Sequence, residues 1–247
     1  MVGGAAFQRR ELLHLAVQDR IKRFIIAGGF QPGDLLPPEA ELARALGVSR
    51  PSLREAMKAL QSVGLVETRQ GAGTFVGRFS LDHLVAGLAF TIRSDLGRNL
   101  RTLRDLVEIR EILERDLVAR VAPLMTPPLL ERLTSLVAGM EARAERGELF
   151  PAEDRAFHEA LYRPLGNALL TQLLGAFWEV FAAVRDELPG EGPLSRETAA
   201  GHRRIVEALA AGDGPAAAAA MTAHFAGIHQ RLRAAEEALA ALATAPD

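Results

Sequence analysis

Three histidines and one aspartate in the second half of the sequence could bind a metal ion. Asp154 and His158 are four residues apart, so on a helix they share one face, and His202 and His224 each lie beside apolar residues at helical spacing. Three neutral imidazoles and one carboxylate suit a borderline divalent ion and leave positions open for water or a ligand. The pattern also fits histidines that are only hydrogen-bonded in a core, so spacing alone leaves both interpretations open.

One arginine upstream of these residues is predicted to be buried. Seven apolar residues between Leu103 and Val121 form one arc when each residue is turned by 100°, and Arg110 lies in the middle of that arc. A buried guanidinium requires an anion, because an unpaired buried charge is costly. We therefore predict that Arg110 binds an acidic group. The histidines His14, His83 and His229 are assigned no role.

The elements that must position these residues are helices. From about residue 81 onward the sequence shows only helical periodicity, interrupted by breaks rich in Gly and Pro. The predicted helices are a connector near 81–94, followed by 100–121, 127–146, 152–163, 167–188, 195–211 and 215–242. The four candidate metal ligands then come from three helices, and Arg110 comes from a fourth.

The first part of the sequence has a different organisation. It predicts a helix over 7–26, a second that starts after Pro38 and ends at Gly47, and a third that Ser49 caps, with Pro51 in its first turn. Two helices joined by "GVS" form a helix-turn-helix. The segments "LVETR" and "TFV", joined by "QGAG", then predict the short β-hairpin of a winged helix-turn-helix.

The third helix carries positive charge on one face. Arg50, Arg54 and Lys58 recur every four residues, while Leu53 and Met57 lie on the other side. A solvated surface helix would also show such a run. Because this run lies on a helix-turn-helix followed by a wing, we predict that the face reads DNA.

Composition limits the remaining classes. The 247 residues contain no cysteine, so a thiolate metal site is excluded. They also contain no run of 18 apolar residues, so no membrane span is predicted. Residues 1–80 hold 11 Lys/Arg against 7 Asp/Glu, and the remainder holds 18 against 24. The excess of basic residues in the first part and of acidic residues in the remainder indicates that the two parts bind different partners. We predict a cytoplasmic protein with a DNA-binding domain over 1–79, a linker and connecting helix over 80–99, and a helical effector and dimerisation domain over 100–244.

The string "PGDLLPPEAELARALGVSRPSLREAMKALQSVGLVETRQGAGTFV" resembles the DNA-binding domain of the GntR family of bacterial transcription regulators. By position, the resemblance implies operator contacts by Ser49, Arg50, Pro51, Arg54 and Gly71. The sequence departs from the family at Ala40, where many members have an arginine that contacts DNA. The operator sequence of a relative therefore does not carry over.

The later segments "EIREILE", "EDRAFHEAL", "GHRRIVEALAAGD" and "AMTAHF" occur in the order typical of the effector-binding domain of the FadR subfamily, the FCD type. This resemblance covers about residues 100–240 and implies an antiparallel all-helical bundle. It also implies that Asp154, His158, His202 and His224 bind the metal and that Arg110 binds the ligand. Gly201 stands where a glutamate commonly precedes the third metal ligand, which puts one supporting contact in doubt.

These observations predict a mostly α-helical bacterial transcription regulator, a repressor that acts as a homodimer on operator DNA. A small organic acid would bind at the divalent metal, with zinc expected first and nickel or manganese as alternatives. An enzyme is not expected, because Glu153 and Glu159 lie on other helix faces and match no hydrolytic motif. The alternatives are a metalloenzyme with a DNA-binding tether and a dimerisation bundle that a metal only stabilises.

Overall fold

The computed structural model describes residues 3–78, 80–96, 100–184 and 195–244, with side chains over 14–78, 80–96, 100–184 and 196–239. The chain divides into two compact units, Met1–His83 and Leu84–Asp247. Within the described ranges, no helix has the length and apolar character needed to cross a membrane.

The first unit begins with three helices, α1 (Gly3–Ala27), α2 (Glu39–Leu46) and α3 (Arg50–Ser62). Helix α1 starts four residues earlier than predicted. Helix α2 ends as predicted at Gly47, whose φ of 64° is a left-handed conformation that glycine adopts without steric cost.

Helix α3 begins where the local sequence dictates. The Ser49 hydroxyl accepts a hydrogen bond from the backbone N–H of Ser52 at 3.2 Å, and Pro51 occupies the first turn, where no intrahelical donor is needed. The apolar side of α3 is buried in the core of this unit together with Val17, Ile21 and Leu42. The helix-turn-helix is therefore confirmed.

The wing is a two-stranded antiparallel hairpin. Strands β1 (Val66–Arg69) and β2 (Gly73–Val76) pair with Val66 opposite Val76, and Leu35 adds an isolated bridge to Phe75. The turn contains Gly71, whose φ of 75° explains why glycine is needed at this position.

The second unit is entirely helical in the part that the structure describes. It contains α4 (Asp82–Asp95), α5 (Arg101–Val121), α6 (Pro127–Glu145), α7 (Pro151–Tyr162), α8 (Ala168–Val184), α9 (Ser195–Ala210) and α10 (Gly214–Thr244). These bounds agree with the predicted helices to within two residues, apart from the predicted end of the fourth long helix at 185–188, which lies outside the described residues. A mostly helical chain with a winged helix-turn-helix in front is therefore confirmed as the fold class.

The bundle brings together helices that are far apart in sequence. Helix α10 packs against α5 and α9, while α6 packs against α7 and α9. Their apolar faces form one continuous core. Among the described residues of this unit, five polar or charged residues are buried with the apolar core: Arg110, Glu114, His158, His202 and His224.

Candidate functional site

The predicted DNA-contacting residues lie on the surface of the first unit. Ser49, Arg50, Pro51 and Arg54 are exposed around the start of α3, and Gly71 is exposed in the turn of the wing. This is the exposure that contact with DNA requires, and the role of each residue stays a prediction.

The cationic face of α3 is less purely positive than the sequence suggests. The Nε of Arg54 donates to Oε2 of Glu39 at 2.7 Å, and the Nζ of Lys58 donates to Oε1 of Glu55 at 2.9 Å. Two of the three predicted cations are therefore paired with carboxylates in the free protein.

The four predicted metal ligands lie together inside the helical unit. One ring nitrogen each from His158, His202 and His224 lies within 4.8 Å of the other two. Oδ1 of Asp154 lies 2.9 Å from Nε2 of His202 and 3.3 Å from Nε2 of His158. The three histidines are almost fully buried, whereas the Asp154 side chain keeps 19% of its surface exposed. The cluster thus has one more accessible side, at the carboxylate.

The hydrogen bonds of two imidazoles determine which nitrogen is available. Nδ1 of His202 lies 2.8 Å from the carbonyl oxygen of Thr198, which can only accept, so this nitrogen carries the proton. Nδ1 of His158 contacts the carboxylate of Glu114 in the same way. With Nδ1 engaged in this way, Nε2 is the nitrogen of each ring that could bind a metal ion, and these two atoms are 3.4 Å apart. Together with the Asp154 carboxylate they form a set of nitrogen and oxygen atoms that could bind a metal ion.

His224 completes the set as a neutral imidazole. Burial, reinforced by the neighbouring His202 and His158, lowers the pKa of His224 well below its ordinary value. Its Nδ1 is buried and has no hydrogen-bond partner among the described residues. A β-carbon at Gly201 would lie only 3.2 Å from this nitrogen, so glycine leaves the space that the ring uses. The departure at Gly201 therefore accommodates His224.

The donor set fits a divalent metal of borderline character. Around zinc, Zn–N bonds of about 2.0 Å place neighbouring ligand atoms about 3.3 Å apart, close to the 2.9–3.4 Å that separate the facing atoms of Asp154, His158 and His202. Burial alone would raise the pKa of Asp154, but His202 and His158 outweigh it and hold this pKa well below its usual range. The carboxylate is consequently ionised and able to bind a cation.

Arg110 is buried next to this cluster, but it is already paired. Its Nε donates to the carboxylate of Glu114, and the other oxygen of this carboxylate accepts from His158. Burial would raise the pKa of Glu114, yet Arg110 and His158 lower it to about 2. The guanidinium carbon lies 4.3 Å from the ring centroid of Trp178 and 5.4 Å from that of Phe225. Arg110 is therefore held in a fixed plane.

A second arginine, Arg231, contacts a residue that supports the cluster. Nη1 of Arg231 donates to the hydroxyl of Thr198 at 3.3 Å, the residue whose carbonyl oxygen orients His202. Burial lowers the pKa of Arg231 despite the opposing effects of Asp154 and Glu197. No carboxylate within the described ranges forms a salt bridge with this guanidinium. It is thus a desolvated cation available to an anion.

The sequence analysis missed Glu114, Thr198, Trp178 and Arg231. Glu114 follows Arg110 by four residues, Thr198 precedes His202 by four, and Arg231 follows His224 by seven. Each interval places both residues on one helix face, so helical spacing could have identified these three. Trp178 lies on α8 and has no such relation to a predicted ligand, because only packing brings it to Arg110.

The two carboxylates that flank the cluster are engaged elsewhere. Oε1 of Glu153 accepts from Nε of Arg143 at 2.7 Å, and Glu159 pairs with Arg155 at the same distance. Among the described residues, neither contacts the four candidate ligands.

Comparison with known proteins agrees with both halves of this description. Residues 13–76 match the family described as "Bacterial regulatory proteins, gntR family", and residues 105–227 match the FCD domain. The chain is 33% identical over 210 residues to the HTH-type transcriptional regulator LutR of Bacillus subtilis (strain 168), which covers 83% of this chain and 94% of the relative.

Two further relatives support the same assignment. A protein of Escherichia coli (strain K12), named as a regulatory protein of the L-lactate dehydrogenase operon, is 28% identical over 229 residues, 90% of this chain and 86% of its own. Among solved structures, Streptococcus agalactiae GntR has a TM-score of 0.62 and 27% identity, and the match covers 88% of this chain and 99% of that one.

Proposed function

Because the chain belongs to the GntR family of bacterial regulatory proteins and carries an FCD domain after its helix-turn-helix domain, we propose that a small carboxylate effector at a divalent metal site controls its binding to operator DNA. The observation that carries this proposal is the cluster of Asp154, His158, His202 and His224, with two arginines hydrogen-bonded to the residues that orient its histidines. We further propose that the chain is of the FadR type and acts as a homodimeric repressor.

Asp154, His158, His202 and His224 would hold the metal. When bound, the metal supplies a positive, Lewis-acidic centre to which a carboxylate or hydroxyl oxygen can coordinate. The protein supports two of these ligands through neighbours, since Glu114 fixes the ring of His158 and the Thr198 carbonyl fixes the ring of His202. Such supporting contacts orient the ligand and raise its basicity.

The same two supporting residues also contact the arginines. Glu114 joins His158 to Arg110, and Thr198 joins His202 to Arg231. Each guanidinium group is therefore linked to the cluster through one intermediate residue. Arg231, which forms no salt bridge among the described residues, and a dication beside it would favour an anionic ligand, and the fork of an arginine pairs with a carboxylate in a defined plane. This arrangement supports a hydroxy acid, keto acid, sugar acid or dicarboxylate as the effector class.

Effector binding would be tested by calorimetry on the metal-loaded protein, first with L-lactate, since the Escherichia coli relative is named for the L-lactate dehydrogenase operon. We expect Arg231→Met to weaken the binding of the acid about 10- to 100-fold, because it removes a charge-assisted hydrogen bond worth about 1.5–3 kcal/mol. Arg110→Met should have a similar effect.

Arg233→Met is the matched control, since Arg233 is exposed on the same helix two residues further on. It should bind the acid as the wild type does. Equal affinities in the wild type, Arg110→Met and Arg231→Met would contradict the proposed effector site.

A separate prediction concerns the contribution of Arg54 to DNA binding. Arg54→Ala should weaken binding to a duplex selected from a random pool more than binding to random duplex, because a base contact carries sequence information and a phosphate contact does not. Affinities would be measured by fluorescence anisotropy at two salt concentrations, as the phosphate contribution depends on salt. Equal losses on both duplexes would show that Arg54 contacts only the DNA backbone.

The acid would affect DNA binding by shifting the equilibrium between two states of the dimer. The acid can change operator affinity only if it binds more tightly to one state of the dimer than to another. We propose derepression, in which the acid favours the state with lower operator affinity. Adding the acid identified by calorimetry to the protein–DNA complex should therefore release the selected duplex.

A further inference from the structure

Arg54 on α3 forms an ion pair with a residue of the preceding helix, α2. Its Nε donates to Oε2 of Glu39 at 2.7 Å, and Glu39 is the first residue of α2, fifteen positions earlier in the chain. Both side chains face solvent, with 63% of Arg54 and 44% of Glu39 exposed. The bond thus crosses between the two helices of the helix-turn-helix at its surface.

Stabilisation of the fold does not account for this pair. Exposed ion pairs of this kind contribute little to the free energy of unfolding, because water screens them and two long side chains must be ordered. The core under α2 and α3 already holds the two helices together through Leu42, Leu53 and Met57. A role in presenting the guanidinium explains the geometry better.

The contact with Glu39 uses only one of the donor positions of Arg54. A guanidinium is planar and carries five N–H groups, of which four are on the two Nη atoms. In the part of the chain that the structure describes, no hydrogen bond engages these Nη atoms. With Nε fixed by Glu39, the Nη edge presents two parallel donors, the arrangement that pairs with O6 and N7 of guanine in the major groove.

We propose that Glu39 is a positioning residue that orients the guanidinium of Arg54 for reading one base pair. This inference rests on the DNA-binding role of α3 proposed above. The carboxylate also places a negative charge close to the phosphates, so it opposes sequence-independent binding. Glu39 therefore increases discrimination between sequences while it lowers the affinity for DNA in general.

The experiment compares two substitutions that remove the same charge. The full-length protein selects a preferred duplex from a random pool, and affinities are measured for this duplex, its single base-pair variants and random duplex. We expect Glu39→Ala to reduce the discrimination at one base pair roughly 5- to 10-fold and to raise the affinity for random duplex. Glu39→Gln keeps an oxygen that accepts from Nε and should retain most of the discrimination.

Two controls separate orientation from charge. Glu41→Ala removes a second exposed carboxylate from the first turn of α2, away from the contact with Arg54, and should leave discrimination unchanged. In an Arg54→Ala background, Glu39→Ala should cause no further loss at that base pair. Binding of random duplex by every variant shows that each one is folded.

Two results would overturn the inference. Wild-type discrimination in Glu39→Ala would show that the carboxylate does not orient Arg54, and equal loss in Glu39→Gln and Glu39→Ala would show that charge alone matters. Failure of the wild-type protein to enrich any sequence would contradict the proposed DNA-reading function itself, and this result is distinct from the first two.

Discussion

Replacing His202 with alanine is expected to remove the stabilisation that a divalent metal gives the helical unit. Nε2 of His202 faces both Asp154 and His158, so it is central to the cluster. Zinc at a hundred times its dissociation constant should raise the free energy of unfolding of the wild type by about 2.7 kcal/mol. For a unit of this size, that corresponds to a rise in Tm of about 5–10 °C. Calorimetric scans of chelator-treated protein, with and without added zinc, nickel or manganese, measure this rise.

The comparison must be made within each variant. His202→Ala also removes a buried ring, so the metal-free variant should melt below the metal-free wild type, and only the metal-induced shift is informative. His229→Ala is the control, because His229 pairs with Glu111 outside the cluster and should keep the full shift. A shift in His202→Ala as large as that of the wild type would remove His202 from the metal site.

The fold could be predicted largely because the residues that start and end its helices act locally. Gly47 ends α2 by adopting a positive φ, and the hydroxyl of Ser49 caps α3 three residues before its backbone partner. These effects act within a few residues, so the sequence reveals them directly. The start of α1 was placed less well, since no comparable signal precedes residue 7.

The residues of the candidate metal site could be predicted, but the residues that orient them were not. Helical spacing places Asp154 beside His158, and the resemblance to a family selects His202 and His224, which the structure brings to the same place. Helical spacing cannot show which faces of two helices meet. That His158 contacts Glu114 of α5 depends on how α5 and α7 pack. The pairing of Glu114 with Arg110, by contrast, lies within α5 and could have been predicted from the interval of four residues.

The same reason explains the ion pair of Arg54 and Glu39. These residues are fifteen apart, and they meet only because the turn at Gly47 brings the start of α2 beside α3. Two of the three arginines that were predicted as site residues, Arg54 and Arg110, thus have carboxylate partners in the structure. A cation predicted from sequence to be free for a ligand must be checked for a partner within its own fold.

Replacing Glu114 with alanine is expected to destabilise the helical unit more than replacing any charged residue on its surface. The substitution leaves Arg110 buried without its carboxylate, and breaking a buried pair in this way costs about 3–5 kcal/mol. Chemical denaturation at neutral pH measures the change in the free energy of unfolding. Because the pKa of Glu114 is lowered to about 2 in the folded protein, the contribution of the carboxylate is complete above its unfolded pKa of about 4.3 and is lost as the pH falls toward 2. The difference between variant and wild type should therefore shrink below about pH 4.

Helix α5 supplies a matched control for this prediction. Asp116 and Arg120 form another pair four residues apart, but both of their side chains are mostly exposed. Asp116→Ala should change the free energy of unfolding by less than about 1 kcal/mol, since the exposed pair is screened by water. The double variant Arg110→Met/Glu114→Leu should recover much of the stability lost in Glu114→Ala, because apolar residues can replace a buried pair at little cost. A loss in Glu114→Ala no larger than that in Asp116→Ala would show that the carboxylate does not hold Arg110 in the core, and the link from Arg110 to His158 would then have no structural basis.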